Sequence, residues 1–205
     1  MNHTKHHKVA MAGAGVALLA ISILGGFFIG NRAEPDTKTT STLSLSQLSD
    51  RASATEHNDA DIMFAQMMVP HHKQAVEMSK LASTRAESAE VKTLAATIEA
   101  AQQPEIDKMS GWIQAWDETV GMMDHSAHGG MKGMMTMSAI DELAAKSGAD
   151  FDRAFMTMMI EHHEGAMEMA KNEVTDGKNA EALALAAAIQ VTQQAEVAQM
   201  KALLN

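Results

Sequence analysis

The sequence predicts an all-α protein: a four-helix bundle made of two repeated helical hairpins, preceded by an N-terminal transmembrane helix. Three observations carry that reading. The 205 residues include 19 Met, with Ala, Glu, Gln and Leu abundant, against three Pro and neither Tyr nor Cys, a composition that favours helix. Shifted by 91 residues the chain matches itself, with 21 identities over the 53 gapless positions from 61 to 113. Residues 9–30, finally, form an apolar run without a charge.

Residues 1–8 read as a cytoplasmic leader carrying Lys5 and Lys8. The run 9–30 reaches about 33 Å as a helix, enough to span the hydrocarbon layer. Positive charge before it keeps the N-terminus inside and places the rest outside the cytoplasmic membrane. A cleaved signal has an apolar core of about 7–15 residues and a small-x-small exit. Here the core is longer and the exit is Ile29-Gly30-Asn31-Arg32-Ala33, so an uncleaved anchor is expected. Residues 31–56 are rich in Ser and Thr, lack apolar period and read as a linker. The bundle then occupies 57–205, with repeat 1 at 57–117, a Met/His-rich loop at 118–148 and repeat 2 at 149–205.

Each repeat reads as a helix pair. With His71 at zero on a helical wheel, Ala60, Phe64, Met67, Met68, Ala75, Met78 and Ala82 fall within about 60° of it. The stripe recurs as Phe151, Phe155, Met158, Met159, His162, Ala166 and Met169. The second helices are expected over 89–117 and 179–204, after breaks near 84–88 and 175–177. Their stripes run through Val91, Leu94, Ile98, Met109, Trp112 and Trp116, and through Leu185, Ile189, Met200 and Leu203. None of the four can bury its apolar stripe alone, and pairing two hairpins resolves this.

A polar line crosses the stripes. Glu105 follows Gln102 by one turn in repeat 1, as Glu196 follows Gln193 in repeat 2. A carboxylate on a core stripe is costly unless paired, hydrogen-bonded or bound to a cation. Counting back from a hairpin centre near residue 86 sets His71 opposite Gln102 and Glu105, and His162 opposite Gln193 and Glu196. His72 and His163 fall at the stripe's edge, four residues after Met68 and Met159, and Met167 adds a further turn. Either Glu–His hydrogen bonds fix the register of the helices, or His, Glu and Met together hold a metal.

The stretch 121–137, GMMDHSAHGGMKGMMTM, concentrates Met122, Met123, Met131, Met134, Met135 and Met137 with His125 and His128 among four Gly. Thioethers are soft and neutral and select Cu(I) or Ag(I), while imidazole serves both copper oxidation states. Thioethers also form no disulfides in an oxidising exterior. The stretch therefore reads as a capture loop for copper, Cu(I) first, with Cu(II) or Ag(I) as alternatives. A net charge of −10 argues against nucleic acid as a partner.

The doubled pattern Phe-x-x-Met-Met-x-x-His-His-x-x-Ala-x-x-Met at 64–78 and 155–169, with Gln-Gln-x-Glu-[Ile/Val]-x-x-Met at 102–109 and 193–200, resembles the domain-of-unknown-function family 305. That resemblance implies a ferritin-like bundle outside the cytoplasmic membrane and, for some members, copper handling. By position it makes His71, His72, His162, His163 and the motif methionines candidate ligands. The loop is also similar to Met-rich segments of copper-resistance proteins. The expected function is membrane-tethered copper binding for tolerance, buffering or delivery, with a copper exporter or oxidase as the receiving partner. Two other classes remain open. A ferritin-like metal-dependent oxidase would use the core carboxylates, although no His here follows a Glu by three residues, the spacing of di-iron bundles. A metal-free helical docking module is the other.

Overall fold

The computed structural model describes residues 56–116 and 131–205. The apolar run 9–30 lies outside the described residues, as do Met122, Met123, His125 and His128. Among the described residues no helix is long and apolar enough to cross a membrane.

Five helices and no strand make up this part: α1 (Asp59–Arg85), α2 (Ala89–Ala115), α3 (Met137–Ala145), α4 (Gly148–Asp176) and α5 (Ala180–Leu204). The short α3 corrects the sequence reading, which treated 118–148 as loop throughout. Thr136 caps it by accepting the Ala139 N–H at 3.2 Å, and Ile140 and Leu143, one turn apart, are its buried face. Pro70 and Pro104 lie within α1 and α2, both of which continue through them.

Local chemistry sets where the long helices begin. Asn58 accepts the Ala60 and Asp61 N–H groups, and the Asp61 carboxylate accepts the Asn58 N–H at 2.6 Å, a reciprocal capping box. Ser88 and Asn179, equivalent in the repeat, cap α2 and α5 through their side-chain oxygens. A second set of bonds ties the hairpins together. Asp61 on α1 also accepts the Lys178 and Asn179 N–H groups before α5, and Asp152 on α4 accepts the Glu87 and Ser88 N–H groups before α2. Each hairpin thus holds the turn of the other.

α1 packs along α2 and α4 along α5, and the two hairpins join mainly through α1 against α4. Two apolar clusters result. One gathers Met78, Ile98, Phe151, Phe155, Met159 and Met200 with Ile140 and Leu143 of α3. The other gathers Phe64, Met68, Met109, Trp112, Ala170 and Ile189. Burying each of the large side chains is worth about 1.5–3 kcal/mol against exposure. Leu203, expected in the stripe, is instead 38% exposed at the end of α5. Between the clusters lies a layer of polar side chains.

Candidate metal centre

The polar layer comes from four helices. Motif positions 71 and 72 of α1 and 162 and 163 of α4 are all buried completely, and Gln102 and Gln193 are buried beside them. The pairing differs from the one expected. It is His72, not His71, that meets Glu105, with Nε2 and a carboxylate oxygen 2.8 Å apart. Likewise His163, not His162, meets Glu196 at 2.7 Å. The reason is geometric. The stripe centre of α1 points at α4, so His71 and His162 face each other across the pseudo-two-fold. One residue on, 100° around the helix, His72 and His163 turn toward the second helix of their own hairpin.

The His71 and His162 rings stand 3.7 Å apart between centroids, tilted by 39°. The ring nitrogens make no side-chain hydrogen bond, the Lys132 backbone approaching the His71 ring and the His71 backbone the His162 ring, and the Gln102 amide and the Gln193 amide oxygen are unpaired. Such buried groups cost about 1–3 kcal/mol each when unsatisfied, so their concentration in one layer points to a ligand. Burial, followed by the neighbouring His72, pushes the His71 imidazole down to about 3. His162 is held well below the usual range, first by burial and then by His71. Both rings are therefore neutral at physiological pH, the form that donates a nitrogen lone pair to a metal.

A strap formed by residues 131–135 lies against the two central helices. Gly133, at φ +83°, lies so close to α4 that a Cβ would meet the Glu161 and His162 carbonyl oxygens at 2.8 and 2.9 Å. Gly165 provides the room on the helix side, and a Cβ there would collide with the Lys132 carbonyl. In the first repeat the equivalent position is Gln74, whose amide clasps the Met135 backbone through two bonds of 2.8 and 2.9 Å. The Lys132 backbone lies beside the His71 ring. Met131, Met134 and Met135 of this strap are half-buried, Met135 packing against the first apolar cluster.

The remaining predicted ligands are dispersed. Met68, Met78 and Met159 are buried in the apolar clusters, and Met158, Met167 and Met169 pack on their edges. Met67 lines a surface cleft, and Met137 is 69% exposed at the start of α3. Among the described residues no three His, Asp or Glu side chains converge into a cage for a metal ion. Sequence reasoning missed Gln74, Met63 and Glu173. Glu173 was detectable, since it interrupts the stripe of α4 where the repeat has Ala82 in α1.

Over residues 61–204 the chain matches the domain of unknown function DUF305. It belongs to the DUF305 family. Among solved structures it is similar to a DUF305 protein from Streptomyces coelicolor, at 33% identity and a TM-score of 0.66, covering 71% of this chain and 91% of that one. It is also similar to CopM in its Cu(II)-bound form, at 39% identity and a TM-score of 0.62, covering 70% of this chain and 95% of CopM. CopM is known in Cu(I)-bound, Ag-bound and apo forms as well. No curated protein matches the chain. Metal binding is thus a property found within the DUF305 family, in a protein of the same fold.

Proposed function

We propose that this DUF305 protein binds copper, as Cu(I) before Cu(II) or Ag(I), at the centre of its bundle. The observation that carries the reading is the His71–His162 pair: two buried, neutral imidazoles in contact across the bundle, with no side-chain hydrogen bond to either ring. Two imidazoles do not complete a site. Thioethers on the segment whose Lys132 backbone meets the His71 ring, Met131, Met134 and Met135, are the candidate further donors, and imidazole with thioether is a donor set that suits Cu(I). The His72–Glu105 and His163–Glu196 pairs then act as supports that fix helix register on both sides of the centre.

In this reading residues 9–30 anchor the protein in the cytoplasmic membrane and the bundle works on the extracytoplasmic side. Met122, Met123, His125 and His128 collect the ion ahead of the strap. The ion is cargo, held for tolerance or passed to an exporter or oxidase, and the protein is a binder rather than an enzyme. Oxygen consumption at the background rate under excess Cu(I) is expected, and catalytic turnover would contradict the binder reading.

The test is an anaerobic Cu(I) titration of the full chain against a chromophoric chelator, repeated with Zn(II). Selective uptake of Cu(I) is expected, with the tightest equivalent lost in the H71A/H162A double variant. Identical binding by parent and double variant would overturn the assignment of the site.

A further inference from the structure

The 91-residue repeat implies two related grooves between α1 and α4, and the protein treats them differently. One groove is bounded by Met78, Leu81 and Ala82 of α1 with Ala154, Phe155 and Met158 of α4. All six belong to the apolar cluster that Ile140 and Leu143 of α3 complete. The repeat carries these positions to Met169, Asn172 and Glu173 of α4 and to Met63, Phe64 and Met67 of α1. No helix among the described residues fills this second groove. It is a cleft of about 410 Å³ lined by all six of those residues, with Ala60 and Asp176.

Two replacements between the copies change its chemistry. Ala154 becomes Met63, so three thioethers, Met63, Met67 and Met169, line one cleft. Ala82 becomes Glu173, which is only 2% exposed and hydrogen-bonds to the Asp61 carboxylate; burial, followed by that neighbour, pushes it up to about 8. The fold does not require a carboxyl there, because Ala82 serves in the other copy. Nor is Glu173 placed as a surface charge, and Met63, 57% exposed, is not placed as packing.

We infer that this cleft is a second site for a soft monovalent cation, Cu(I) or Ag(I), bound by the thioethers of Met63, Met67 and Met169 beside the Glu173–Asp61 pair. Thioethers are neutral donors, so a cation bound by three of them keeps its charge. The Glu173 carboxyl at the same cleft, hydrogen-bonded to the ionised Asp61, forms a pair whose negative charge compensates it. Hard divalent ions prefer oxygen-rich sites and have no reason to choose this one. The open cleft lets an ion reach this site from solvent without moving the strap, unlike the central histidine pair. The inference deepens the copper-binding reading, but its residues are separate from the histidine pair, so the two can fail independently.

The experiment is an anaerobic Ag(I) titration of the full chain with methyl-¹³C methionine, followed by NMR. Ag(I) is used because it is redox-stable. The Met63, Met67 and Met169 methyl signals, assigned by single Met→Leu variants, are expected to shift together over one equivalent. The M63L/M67L/M169L variant, a volume-conserving change, should take up one Ag(I) fewer while retaining the equivalent lost in H71A/H162A. E173Q should weaken that step about tenfold or more, the scale of removing a supporting group from a metal site. If the three methyl signals stay unmoved in the unaltered protein, or the triple variant binds as many ions as the parent, the site does not exist. Loss of the histidine equivalent with the cleft equivalent intact would support this site, and the reverse would leave only the central one.

Discussion

Asp61 of α1 accepts the N–H of Asn179 at 2.8 Å, across 118 residues of sequence, while its partner in the repeat, Asp152, accepts the N–H of Ser88 at 2.8 Å. Each carboxylate satisfies backbone donors at the start of a helix in the other hairpin, which makes the docking of hairpins reciprocal. Removing it leaves several N–H groups without their acceptor. D61A should therefore destabilise the protein by about 1–3 kcal/mol, and D152A by a similar amount. Denaturant unfolding followed by Trp112 and Trp116 fluorescence measures both, and an unchanged midpoint would remove the capping role.

The central histidines give a pH dependence with a definite sign. Burial favours their neutral forms, with His71 pushed down to about 3 and His162 shifted the same way. Unfolded, each takes up a proton below about 6.5. Between those limits the unfolded chain binds more protons, so stability is full above the unfolded value and falls as pH drops. The slope approaches about 1.4 kcal/mol per pH unit for each histidine. Metal-free protein should therefore lose stability between pH 6.5 and pH 4, and H71F should show a shallower slope over that window. A slope unchanged by H71F would mean that other groups carry the acid sensitivity.

The two His–Glu pairs should not be equal. The Glu196 side chain is 9% exposed beside His163, whereas that of Glu105 is 21% exposed beside His72. Deeper burial leaves a broken pair with less water to compensate it. E196A should cost more than E105A, by about 1 kcal/mol or more, in thermal unfolding of the metal-free chain. Equal losses would show that solvent reaches both pairs alike.

The strap is held by close approach rather than by bulk. G165A places a methyl group where the Lys132 carbonyl lies, and Q74A removes both bonds to the Met135 backbone. Overpacking of this kind costs about 1–3 kcal/mol. Each variant should lower Cu(I) affinity at the central site while helicity by circular dichroism stays intact. Unaltered affinity in both would separate Met131, Met134 and Met135 from that site.

Much of this molecule is visible in its sequence, for physical reasons. The repeat doubles every helical signal, so α1, α2, α4 and α5 end within a few residues of the expected breaks. The wheel also ranks His71 and His162 as the most inward positions. What it does not tell is which neighbour an inward residue meets. Counting along one hairpin paired His71 with Glu105, whereas the contact across the pseudo-two-fold pairs it with His162. The short α3 was hidden because its Met-rich approach resembles a ligand loop, although Thr136 followed by Ile140 and Leu143 marks a capped amphipathic turn. Glu173 was passed over because repeats are naturally read for what they share, and here the departure from the repeat carries the information.

The most direct test of the central account is X-ray absorption spectroscopy of the full chain loaded anaerobically with one equivalent of Cu(I). A site built on His71 and His162 beneath the methionine strap predicts nitrogen and sulfur scatterers together, with the nitrogen contribution lost in H71A/H162A. A spectrum of sulfur alone, unchanged by that double substitution, would place the ion on methionines elsewhere and contradict the account.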